Sequence, residues 1–226
     1  MKLFSILAFL FFTQLQCQQK LFSLFSDSVL LKKQAEMVVK EFSTAIEKIY
    51  PKTKVLVPVK VDTTPYLIFI NKEGIHLPLW EQVIPDQKTF FYDLAGGETQ
   101  GENLFGLLFN GFYIIHEMGH SVEDSHKIKF KNNYDSEYFA NQVAILWWRE
   151  NGKAKELKQI YEQLNLIIPK LKNPVPEGQT IEQYFTENYE KAAADPYVYG
   201  YMQFKQFKEI YEDKKLKTLK DLLKSK

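Results

Sequence analysis

Residues 105–126 read FGLLFNGFYIIHEMGHSVEDSH. The run is apolar-rich up to Ile115 and then carries His116, Glu117 and His120. Its spacing predicts one long helix over Leu104–Val122. Side chains four apart on a helix share a face, so His116 and His120 aim at one point. Two neutral imidazoles suit Zn²⁺, with Zn–N about 2.0–2.1 Å. Glu117 lies beside that face, placed to take a proton from a metal-bound water rather than to bind the metal. The chain has only four histidines, and three of them, His116, His120 and His126, fall in this window. The fourth, His76, sits in a strand-like segment near Pro78 and reads as a surface or packing residue.

A catalytic zinc takes three protein ligands and keeps a fourth position open. Two residues compete for the third place. His126 follows His120 by six positions, so HEMGHSVEDSH resembles the metzincin spacing H-E-x-x-H-x-x-G-x-x-H. It departs from that pattern at Glu123, where a glycine lets the chain turn out of the helix. No Met-turn is visible either, since Met202 lies in a helical segment. The other candidate is Glu137, in DSEYFANQVA at 135–144. Here the chain resembles the gluzincins and uncharacterised bacterial metallopeptidases that carry HExGH followed by E-x-x-A-D-Q-x-A. The resemblance spans about residues 105–150. It implies a zincin-like fold, Glu137 as third ligand on a separate helix, and Asn141 where the family has an aspartate orienting a zinc-bound histidine. Glu137 is preferred over His126, because a carboxylate on a new helix fits better than a metzincin turn without its glycine. Asparagine accepts the imidazole N–H without a charge, so Asn141→Asp is expected to strengthen the site. Zincins often stabilise the oxyanion with a tyrosine, which points to Tyr199 and Tyr201 in DPYVYGY.

Working outward, helical spacing also predicts Tyr138–Glu150, Lys155–Ile168, Ile181–Ala194 and Tyr197–Glu212, the last with Asp195 as cap and Pro196 in the first turn. The terminal DKKLKTLKDLLKSK places Leu216, Leu219, Leu222 and Leu223 on one face. It reads as a docked helix with a solvated lysine face, or as a weak membrane-surface or partner contact. On the N-terminal side, residues 28–49 form an amphipathic helix closed by Pro51. Lys54–Val61, Tyr66–Ile70, Ile75–Trp80 and Thr89–Asp93 read as short extended pieces, with Asn71–Gly74 a turn. The fold class is α+β. A small antiparallel or mixed sheet lobe (about 20–100) precedes a helical lobe (about 101–226), with the HExxH helix at their cleft.

Residues 1–17 read as a secretory signal peptide, with Lys2, a short apolar run and a polar exit. The apolar run is too short to span a bilayer, which takes about 20 residues. Cleavage after Cys17 would leave 226 − 17 = 209 residues in one domain, 18–226. The alternative is a lipid anchor on Cys17. Lys+Arg number 29 against 28 Asp+Glu, so no basic excess points to nucleic acid. A single cysteine excludes a disulfide framework. The expected function is a secreted or periplasmic zinc peptidase, acting on peptide or protein through zinc-activated water with Glu117 as base. The alternative is a catalytically silent zincin-like binding or envelope protein.

Overall fold

The structure, a computed structural model, describes residues 20–226. The expected signal peptide and Cys17 lie outside the described residues. The first helix, α1 (Ser28–Ile49), starts on Asp27, whose carboxylate accepts the N–H groups of Val29 and Leu30 at 2.8 and 3.1 Å. Its apolar stripe buries Leu31, Ala35, Val38, Val39, Phe42 and Ile46. Each large side chain so covered contributes about 1.5–3 kcal/mol.

Three short strands follow: β1 (Val59–Val61), β2 (Phe69–Asn71) and β3 (Gly74–Leu77). β3 is central, parallel to β1 and antiparallel to β2, so the sheet is mixed. Asn71 pairs with Gly74 to close the β2–β3 hairpin. Gly74 has φ +127°, and a Cβ there would lie 2.2 Å from the Pro58 carbonyl oxygen. Only glycine meets both demands.

Thr89–Asp93 is not extended. It lies within α2 (Pro85–Ala95), which starts on Pro85 and ends on left-handed Gly96. The β-prone TFFYD was outvoted by these two punctuation residues. The sheet is also shorter than the spacing predicts, and Trp80 opens a 3-10 turn rather than ending a strand.

The predicted long helix is broken once. α3 (Glu98–Leu107) meets a π-turn (Leu108–Phe112) before α4 (Tyr113–His126). Asn110 sits in that turn with its side chain fully buried. Its amide donates to Pro78 O at 3.2 Å and accepts from Phe25 N at 3.4 Å. The irregular turn therefore ties the N-terminal segment and the chain after β3 to the base of α4.

α4 runs between the sheet and α5 (Asn133–Glu150). Gly119 is where these two helices touch. A Cβ there would meet Ala140 Cα at 2.8 Å, so the backbones pack directly. α6 (Ala154–Ile167), α7 (Ile181–Ala193) and α8 (Pro196–Glu212) complete the helical part. The predicted Asp195 cap and first-turn Pro196 on α8 are present. The C-terminal helix, α9, is six residues long (Leu219–Lys224), with Leu219 and Leu223 buried. Among the described residues no helix is long and apolar enough to cross a membrane.

Candidate metal centre

α5 begins on Asn132, whose side chain accepts Asp135 N–H at 2.8 Å. This cap starts the helix five residues earlier than its apolar spacing suggests, and it puts Glu137 on the face packed against α4. His116, Glu117, Glu137 and Asn141 are 3, 8, 7 and 0% exposed. Glu137 Oε2 lies 3.1 Å from His116 Nε2 and 3.8 Å from His120 Nε2. One donor atom from each of His116, His120 and Glu137 falls within 4.8 Å of the others. Tetrahedral bonds of about 2.0–2.1 Å place ligand atoms about 3.3 Å apart, so this buried group can hold a metal ion with small adjustments.

Each histidine is aimed by its other ring nitrogen. His116 Nδ1 donates to Asn141 Oδ1 at 2.9 Å, leaving Nε2 to face the cluster. His120 Nδ1 lies 3.4 Å from Glu123 Oε2, and Ser136 Oγ donates to that same oxygen at 2.6 Å. Glu123 is the residue that stands in place of the metzincin glycine. It keeps α4 going to His126, and it orients His120.

That continuation decides where His126 goes. On an unbroken helix, six residues turn the side chain by about 240° away from His120. His126 packs at a tilt against Tyr50 with centroids 4.0 Å apart and is not among the gathered donors.

Behind the ligands stands a polar network from α8. Tyr199, Gln203 and Gln206 share one face of that helix. Asn141 Nδ2 donates to Gln203 Oε1 at 2.8 Å and to Gln206 Oε1 at 2.9 Å. Gln203 Nε2 donates to Glu137 Oε2 at 2.7 Å and to the Tyr199 hydroxyl at 3.0 Å. Gln206 Nε2 donates to Tyr134 O at 3.0 Å. From α7, the Tyr189 hydroxyl donates to Glu137 Oε1 at 2.8 Å.

This network bears on both tyrosines named from the sequence. Tyr199 is beside Glu137, but its hydroxyl accepts from Gln203. Tyr201, two residues on, turns to the other side of α8 and packs in the main core. The structure therefore gives Tyr199 a supporting place in the network and puts Tyr201 on the face of α8 turned away from it. Tyr189, Gln203, Gln206, Glu123 and Ser136 were not legible beforehand. The one signal available is that Tyr199, Gln203 and Gln206 recur at i, i+4 and i+7 on one face of α8, the face that the structure buries.

The electrostatics follow from burial and pairing. Burial opposes ionisation of Glu137, but His116 and His120 outweigh it and hold the carboxyl well below its usual range. Burial likewise works against a charged His120, yet Glu123 and Glu137 raise it well above the usual histidine value. For Glu117, burial dominates and pushes the carboxyl up, against the lowering effect of His116, His120 and the Ile70 backbone. His76 is buried rather than exposed. Its Nδ1 faces the Asp62 carboxylate at 2.8 Å, and its ring stacks on Phe69.

The glutamines reverse one expectation. An aspartate at 141 would have no N–H for either Gln203 or Gln206, and both amide oxygens would face a carboxylate. Rotating them to donate would break their bonds to Glu137 and Tyr134. Asn141→Asp is therefore expected to weaken zinc binding by about 10–100-fold, measured by chelator competition. Equal or tighter binding would show that the glutamines reorganise freely.

Comparison of the chain with protein-family models, with curated proteins and with solved structures gives no match.

Proposed function

We propose that this protein is a zinc-dependent peptidase with Glu117 as its general base, built on a zincin-like plan and acting in a secreted or periplasmic setting. The observation that carries the reading is the convergence of His116, His120 and Glu137 from two adjacent helices, with Glu117 one residue beyond the first ligand. Two imidazoles and one carboxylate are a donor set of catalytic zinc. Zinc held there would act as a Lewis acid on the scissile carbonyl and on water.

The chain's own residues do the rest. Asn141 and Glu123 hold the two imidazoles in the tautomer that leaves Nε2 free. Glu117, made more basic by burial, accepts a proton from the attacking water and returns it to the leaving amine. Peptide pairing is assigned to β2. That strand is an edge of the sheet, and the Ile70 backbone hydrogen-bonds Glu117. An extended substrate along this edge would pass the base.

The test is zinc content, zinc affinity and cleavage of a peptide library by the purified chain. Glu137→Ala is expected to lose zinc strongly, while His126→Ala changes affinity little, in a chelator competition. The reverse order would make His126 the third ligand. Full zinc occupancy with an uncut library would favour the non-catalytic binding protein.

A further inference from the structure

The two oxygens of Glu137 have different surroundings. Oε2 is the atom turned to both imidazoles, at 3.1 and 3.8 Å, and it also accepts Gln203 Nε2. Oε1 accepts the Tyr189 hydroxyl. The remaining Gln203 N–H goes to the Tyr199 hydroxyl, and the Tyr199 ring packs edge-on against Tyr189. Each carboxylate oxygen thus has its own donor, Tyr189 on Oε1 and Gln203 on Oε2, with Tyr199 packed between those two side chains. An unrestrained carboxylate can bind a metal through either one oxygen or both. Here, turning Oε1 inward means surrendering a charge-assisted bond from a phenol in a buried site.

We propose that Tyr189, held by Tyr199 and Gln203, is a positioning residue that keeps Glu137 a one-oxygen ligand and so leaves the metal's fourth position open. This rests on reading the site as a metal centre. The ligands come from α4 and α5 and the restraint from α7 and α8, so the two parts are separable by substitution. Tyr189→Phe removes one oxygen atom and keeps the ring that packs beside Tyr199.

The experiment loads the full chain, prepared metal-free, with Co²⁺ and reads its visible absorption. Coordination geometry is diagnostic here, because four-coordinate Co²⁺ absorbs several-fold more strongly than five- or six-coordinate Co²⁺. The wild-type chain is expected to bind one Co²⁺ with the intense four-coordinate band. Tyr189→Phe should still bind it, with a several-fold weaker band as Oε1 joins the metal. Tyr199→Phe should weaken the band less, and it provides a second reading if Tyr189→Phe folds poorly. Uptake with identical spectra in wild type and both variants overturns this inference alone. A weak wild-type band overturns it as well. Failure of the wild-type chain to take up Co²⁺ overturns the metal-centre reading together with it.

Discussion

Replacing Glu117 by glutamine is expected to leave zinc at one per chain and to lower peptide hydrolysis by about 10²-fold or more, the usual contribution of a general base. The amide matches the carboxylate in size and helix preference but accepts no proton at neutral pH. It can keep an N–H or C=O contact near the Ile70 backbone, so folding should change little. Burial raises the Glu117 carboxyl above its usual value, so the neutral amide adds no buried charge at this position. Metal content measured alongside turnover separates a lost base from a lost ligand. Unchanged turnover would reduce Glu117 to a packing residue and remove the hydrolytic reading of the site.

The second large effect is loss of the metal itself. His116→Ala and His120→Ala should each abolish stoichiometric zinc, since a three-ligand site has no spare donor. Their effects on metal-free stability should differ. His116 is buried, bridges Asn141 and Glu137, and leaves two polar groups without it. Removing one partner of a buried pair costs about 3–5 kcal/mol. The lower end is expected here, because Tyr189 and Gln203 still bond Glu137. His120 is more exposed, with 21% of its side-chain surface open, and should cost less. Thermal melts of the two variants without metal test the order, and zinc retained in both would end the proposal.

What could be read from the sequence was local. The helices α1, α5, α6, α7 and α8 follow from apolar spacing, and α8 also from its Asp195 cap, whereas the caps Asp27, Asn132 and Thr180 are seen only in the structure. His116, Glu117 and His120 could be placed because a helix fixes their relative directions. Glu137 could be named only through a resemblance in the following segment. Three features escaped the apolar spacing, one through local punctuation and two through distant segments. Thr89–Asp93 became helical between Pro85 and Gly96 despite its β-branched and aromatic residues. Asn110 broke the long helix because Phe25 and Pro78 needed its amide. The supporting tyrosine and glutamines arrive from more than fifty residues downstream, and no spacing rule links them to HEMGH.

That separation in sequence gives the site an order of assembly. His116 and its partner Asn141 are 25 residues apart on a simple helical hairpin. Tyr189 and Gln203 lie 52 and 66 residues from Glu137. Short-range contacts form first, because little chain has to be closed to make them. At synthesis rates of roughly 5–20 residues per second, the hairpin precedes Gln203 by about 3–11 s. For that interval the nascent chain carries a complete donor set on a flexible carboxylate. On the proposed reading, the docking of α7 and α8, rather than the gathering of the ligands, is the event that matures the centre.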